Sequence, residues 1–221
     1  MKRIYPHPFF AREGWPFIGA ALLIALGVHV FAGGFLALLC WVLAAFVIQF
    51  FRDPAREMTQ DPLAVVAPVD GRVIKVEDTM CPYTGEPAKL VSIFMNVFNV
   101  HSQKSPVSGS IEKIEYFRGR FFNAALDKAS EQNERNAMTV VTPRGDRVCF
   151  VQIAGLVARR IACYKTIGES IEKGERYGFI RFGSRVDVYL PMHAEVKVTI
   201  GQKTTGVATV IANMKQLPDG E

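Results

Sequence analysis

Over a long stretch near its N-terminus this 221-residue chain lacks charge. From Trp15 to Phe51 there is no Asp, Glu, Lys or Arg, and only His29 and Gln49 interrupt the apolar run. One helix over that stretch would be about 55 Å long, whereas a bilayer core is about 30 Å thick. Gly33-Gly34 lies near its middle and is a natural break. The expected structure is a helical hairpin, Trp15–Phe31 and Phe35–Phe51, either transmembrane or shallow and re-entrant. The run is too long for a secretory signal, and Phe51-Arg52-Asp53-Pro54 offers no small-residue cleavage site. Lys2, Arg3 and Arg12 precede the hairpin, Arg52 and Arg56 follow it, and its turn is uncharged. The positive-inside rule then puts both termini in the cytosol. The expected location is the inner, plasma membrane, with the folded domain on its cytosolic face.

Other absences narrow the chemistry. The four cysteines, Cys40, Cys81, Cys149 and Cys163, form no C-x-x-C pair and have no metal-ligand spacing. Neither a metal nor a disulfide framework is expected. No nucleic-acid recognition motif accompanies the net charge of +5 and pI near 9.1. A basic surface beside a bilayer suits anionic headgroups instead. There is no G-x-S-x-G elbow, which disfavours a serine hydrolase.

Four segments follow from composition: a basic segment 1–14, the hairpin 15–51, a polar linker 52–62 bracketed by Pro54 and Pro62, and a β-rich domain 63–221. The last is full of short β-branched runs: Val65-Val66, Val73–Val76, Leu90–Phe94, Met138–Val141, Val148–Ile153, Val186–Leu190, Glu195–Val198 and Val207–Ile211. Turn residues separate most of them. The pattern predicts a mainly β, barrel- or sandwich-like domain with little helix. The best helical candidate is Asn123–Asn136. An internal repeat adds detail. Ala67-Pro68-Val69-Asp70-Gly71 through Glu77 recurs as Ser105-Pro106-Val107-Ser108-Gly109 through Glu115. Each copy reads as turn, glycine, strand. A third piece, Gly168–Gly178, resembles the turn-and-strand pieces of lipoyl-type domains, so lipoyl-type pseudo-repeats are expected; two copies are too few for a solenoid. Phe117, Phe121 and Phe122 read as core packing rather than an interfacial loop.

Gly183-Ser184 sits in a β context within Arg181–Pro191. A serine hydroxyl held against the preceding carbonyl can attack it and exchange the amide for an ester. β-Elimination then releases the upstream chain as a carboxylate. The dehydroalanine left behind becomes a pyruvoyl group, a ketone able to form a Schiff base with an amine. Glycine permits the strained geometry this needs.

Arg181–Pro191, Gly174–Gly178 and Phe50-Phe51-Arg52-Asp53-Pro54 together resemble the phosphatidylserine decarboxylases, closest to the short type with an N-terminal hairpin. Ala67–Gly71, Asn96–His101 with Ser105-Pro106, and Asn133–Asn136 extend the resemblance from about residue 50 to the end. It implies a pyruvoyl-dependent, self-processing decarboxylase making phosphatidylethanolamine from phosphatidylserine in an anionic membrane. Cleavage at Gly183-Ser184 would give fragments 1–183 and 184–221 that stay together as a heterodimer; a homo-oligomer is left open. Ser184 would become the covalent pyruvoyl cofactor. His101 aligns with the family histidine that takes the serine proton, and a base of pKa near 7 suits that step. Asp70 aligns with the aspartate that orients it, completing an Asp-His-Ser triad. In the second repeat copy this position is Ser108, so the turn itself does not demand a carboxylate. Phe98 stands where other members carry a second histidine, which leaves the later proton donor unassigned. His193 is a weaker candidate. The alternative reading is a non-catalytic, membrane-tethered lipoyl-like adaptor, which gives no reason for Ser184, His101 and Asp70 to coincide with the family motifs.

Overall fold

The computed structural model describes residues 2–4, 8–125, 132–156, 161–181 and 183–215. The chain divides into two compact units: Pro6–Ala55, and Met1–Tyr5 with Arg56–Glu221.

The smaller unit is the expected hairpin. α1 spans Trp15–Phe31 and α2 spans Gly34–Phe50. Pro16 lies in the first turn of α1, where a missing N–H costs nothing. Gly33 and Gly34 take φ of +59° and +61°, a left-handed pair that only glycine adopts freely. Apart from Phe50 at the end of α2, the buried side chains within the helices are small, Ala25, Ala37 and Ala44, while Leu23, Phe31 and Phe35 face outward. This inverts the soluble pattern and matches helix packing in lipid. Arg12–Phe31 is long and apolar enough to cross a membrane, and α2 is a shorter apolar helix.

The larger unit is β. β1 (Lys2–Ile4) pairs with β2 (Glu57–Thr59). The remaining strands are β3 (Ala64–Val66), β4 (Gly71–Met80), β5 (Pro87–Met95), β6 (Ser102–Lys104), β7 (Gly109–Phe117), β8 (Arg135–Val141), β9 (Arg147–Ala154), β10 (Ile161–Cys163), β11 (Ser170–Ile171), β12 (Arg176–Ile180), β13 (Ser184–Pro191), β14 (Ala194–Val196), β15 (Lys203–Thr204) and β16 (Val210–Met214). An eight-stranded antiparallel sheet runs β11-β7-β8-β9-β13-β5-β4-β15, joined by two three-stranded sheets, β10-β12-β6 and β14-β16-β3. Alternate residues of β13 (Val186, Val188, Leu190) join Phe150, Ile93, Tyr177, Ala194 and Ile211 in one core shared by all three sheets.

The repeat legible in sequence extends over β3 to β16. β4 and β7 both begin at a glycine, where a Cβ would stand 2.3 Å from the Phe94 carbonyl oxygen or 2.2 Å from that of Val141. Both strands then slip register at the same place, between Val73 and Lys75 and between Ile111 and Lys113. Both are edged by a short strand entered through Thr-Ile-Gly: Gly201 N–H donates to the Val73 carbonyl and Gly168 N–H to that of Ile111, each at 2.8 Å. β12 and β16 share a further register shift, at Arg176/Gly178 and Val210/Ala212. The sheet order is thus a palindrome about the β9–β13 boundary. One half is continuous, β6 through β12. The other is interrupted by it: β3 to β5, then β13 to β16. Gly183-Ser184 lies at the seam where the chain returns to the interrupted half.

Some boundaries differ from expectation. β16 starts at Val210 rather than Val207, because Val207 takes φ +58° in a turn. β14 stops at Val196. Of the helix expected over Asn123–Asn136, residues 126–131 lie outside the described residues, and Arg135 and Asn136 already belong to β8. Phe121 packs on Ala154 and Ile180, as core packing predicts.

Candidate active site

Ser184 opens β13 and is fully buried. It sits between the ends of two neighbours, opposite Met95 of β5 and Ala154 of β9. Its alternation with Val186 puts the side chain on the core face, where Oγ meets the Met95 thioether at 3.9 Å. The strand end opposite it is clamped. Asn133 Nδ2 donates to the Ala154 carbonyl at 2.7 Å, and Ala154 N–H donates to Glu134 O at 2.9 Å. Gly183 takes φ +63°, so the residue before the serine holds a conformation that suits glycine. Its carbonyl lies against Gly155: a Cβ there would stand 2.0 Å from Gly183 O and 2.8 Å from Gly183 C. Residue 155 must therefore be glycine for this carbonyl to be where it is. A single glycine following Ala154 carries no sequence signal, and the expected site did not include it.

His101 lies at the same end of the sheet. Beyond Met95 the chain turns on Asn96: Asn99 N–H donates to its carbonyl at 3.0 Å and Phe98 N–H to its Oδ1 at 2.9 Å. The turn delivers a fully buried His101 whose Nδ1 contacts the Asn99 carbonyl at 2.9 Å. A chain of buried amides holds the backbone there. Asn136 Nδ2 donates to Gln152, Gln152 Nε2 to Gln103, and Gln103 Nε2 to the His101 carbonyl, at 3.0, 3.0 and 2.6 Å. Phe98 is exposed on the turn. A residue there contacts solvent.

Asp70 immediately precedes β4 at that same end. Its carboxylate takes two hydrogen bonds from the Arg56 guanidinium, Nη2 to Oδ2 at 2.7 Å, and one from Gly206 N–H at 2.8 Å, not from His101. Burial raises its pKa, but the Arg56 and Gly206 bonds and the charges of Arg56 and Lys104 outweigh it, so the net shift is downward. Arg56, read from sequence only as a flanking charge, is thus the direct partner of Asp70. His193 is excluded by position: it lies past the far end of β13, 3.1 Å from Asp146. The cysteines are free thiols, and no group of His, Cys, Asp or Glu suited to a metal occurs among the described residues.

The arrangement is a buried serine hydroxyl beside a left-handed glycine, with a buried histidine and an anchored aspartate at the same sheet end. The fit to a serine-derived carbonyl group is local: the side chain that would be converted is enclosed, and Gly155 leaves room for the adjoining carbonyl. This is a β protein with an apolar N-terminal hairpin and a buried serine at the seam of its duplicated sheet. A family model described as phosphatidylserine decarboxylase matches residues 43–212, and the chain belongs to that family of decarboxylases. A phosphatidylserine decarboxylase proenzyme of Burkholderia ambifaria is 56% identical over 212 residues, covering 96% of this chain and 99% of the relative. Proteins of the same name from Burkholderia lata and Burkholderia multivorans match at 56% identity over the same shares.

Proposed function

We propose that the chain is the precursor of a pyruvoyl-dependent phosphatidylserine decarboxylase and cuts itself between Gly183 and Ser184. The observation that carries this is the buried Ser184 hydroxyl at the sheet seam, behind a left-handed Gly183 whose carbonyl is accommodated by Gly155. His101 takes the Oγ proton as Oγ bonds to the Gly183 carbonyl carbon; the C–N bond then breaks and frees the Ser184 amine. Loss of the Ser184 Cα proton expels Gly183 as a carboxylate. Water hydrolyses the resulting enamine, releasing ammonia and leaving a ketone at residue 184. Burial keeps water from the ester, so elimination wins over simple hydrolysis. Asp70, fixed by Arg56 and Gly206, stands at the same end of the sheet as His101, and the orienting role is assigned to it there.

The pyruvoyl group supplies an electron-accepting carbonyl for the substrate amine as carbon dioxide leaves. Fragments 1–183 and 184–221 stay associated. The apolar hairpin and the net charge of +5 support an anionic phospholipid substrate at the inner membrane, with the β unit on the cytosolic side. Intact mass spectrometry of the purified chain tests the reading. It should show the two fragments, the smaller blocked at its N-terminus, and a single chain with Ser184→Ala. A whole chain in an active preparation overturns it. His101→Ala should remain folded and uncut.

A further inference from the structure

The duplication gives the β unit a second pole, opposite the one that carries Ser184. Pairing register fixes the correspondence. Phe94 faces Arg72 and Arg185, and Val141 faces Ser110 and Arg147. Gly145-Asp146 is therefore the counterpart of Gly183-Ser184, and Gly145 also takes a left-handed φ, +86°. Ser108 stands for Asp70 and Lys173 for Gly206. The same hydrogen bond recurs: Gly206 N–H donates to Asp70 Oδ1 and Lys173 N–H to Ser108 Oγ, both at 2.8 Å. The repeat offset places Leu63 where His101 stands. The second pole keeps the framework of the first without its reactive groups.

That pole contains a cavity of about 430 Å³, the size of a small-ligand site. Its floor is apolar, with Met58, Val65, Val107 and Met214. Its polar wall carries two cations, Arg144 and Lys173. Lys173 is only 8% exposed, and its Nζ donates to the carbonyl oxygens of Asp61 and Ala64. Those carbonyls orient the ammonium but do not neutralise it, and no carboxylate lies within ion-pair distance among the described residues. The third ammonium proton is left for an anion. Asp146, the one acid in the wall, faces His193 at 3.1 Å. A buried cation, a rim guanidinium and an apolar floor together fit an amphiphile with a phosphate head.

We propose that this cavity binds the phosphate-bearing headgroup of a membrane phospholipid and does not turn it over. Arg144 and Lys173 hold the phosphate, and the first tail carbons lie along Met58, Val65, Val107 and Met214. The proposal rests on the reading of the Ser184 pole as a phospholipid site, from which it takes the ligand class. Asp146, Ser108 and Leu63 leave this copy without a nucleophile-base pair.

Hydrogen exchange on the full-length Ser184→Ala chain in neutral detergent tests it, with dihexanoyl phosphatidylglycerol and inorganic phosphate as separate probes. The lipid should slow exchange at 142–147 and 172–174, and Arg144→Glu should weaken that binding about tenfold or more. Inorganic phosphate at equal concentration should give little protection. Absent protection, equal protection by phosphate, or unchanged binding with Arg144→Glu each overturns the assignment. In an otherwise native chain Arg144→Glu should still cut at 183–184. If the native chain never cuts, the reading of the Ser184 pole fails while the exchange experiment still reports on the cavity.

Discussion

Gly155→Ala offers a direct test of the cleavage geometry. Gly155 has no left-handed φ, so alanine is conformationally acceptable and steric contact is the whole effect. The new methyl would stand 2.0 Å from the Gly183 oxygen, against an ordinary contact of at least 3.4 Å. The carbonyl must move by about 1.4 Å, since the methyl is held by the backbone at the end of β9. A displacement of about 1 Å in a reacting pair typically costs about 10²-fold in rate. Overpacking costs about 1–3 kcal/mol, or roughly 2–12 °C in melting temperature for a domain of this size. Gly109→Ala is the matched control. Its methyl would meet the Val141 oxygen at 2.2 Å, an equal insult at the other pole. A time course of freshly translated chain, read by intact mass, should show cleavage slowed about 10²-fold with Gly155→Ala and little changed with Gly109→Ala. Native-rate cleavage in Gly155→Ala, or equal slowing in both, refutes the reasoning.

Three further outcomes follow from the electrostatics. The folded pKa of Asp70 is depressed, so its pairing stabilises the fold above the ordinary carboxylate range and is lost as pH falls through the folded value. Asp70→Asn should flatten that acid limb in thermal melts, most visibly below about pH 4. Cys149, through a hydrogen bond, is the largest cause that lowers the Cys81 thiol to about 6, against the opposing effect of burial. The contribution is complete above the unfolded thiol pKa and lost as pH falls through about 6. Cys149→Ala should return the thiolate absorbance transition toward the ordinary thiol range. On β13, Arg185 and Asp187 form a two-point ion pair at 2.6 and 2.7 Å and are essentially unexposed. Asp187→Ala removes the carboxylate that faces a buried guanidinium and should cost about 3–5 kcal/mol in denaturant unfolding, which Arg185→Met with Asp187→Leu should largely restore.

Much of the framework was legible because it rests on strong local signals. An uncharged run broken by Gly33-Gly34 can be little other than a hairpin, and β-branched runs between turn residues located most long strands. The repeat was legible only where Pro-Val-x-Gly survives, although the duplication runs from β3 to β16. Elsewhere its halves share registers and bulges rather than side chains: the counterpart of Ser184 is Asp146, and that of His101 is Leu63. Short strands such as β6, with Ser102, Gln103 and Lys104, were invisible because their burial comes from neighbouring sheets. For the same reason Asp70 could be singled out but its partner could not. Arg56 reads as a linker charge until the fold brings it to the start of β4. Gly155 matters only through a through-space contact with Gly183.

The position of β13 bears on what a broken 183–184 bond would leave. The strand is hydrogen-bonded along one side to β9 and along the other to β5, and both neighbours belong to the upstream piece. It also brings Val186, Val188 and Leu190 to the common core, with Ala194, Ile211 and Met214 following. The short piece could leave only by unzipping the middle of the sheet and opening that core, which is unfolding by another name. Two pieces born in one molecule would therefore remain partners for its lifetime and would not exchange with those of a neighbour. A molecule that fails to cut cannot be rescued by borrowing a finished tail from one that has.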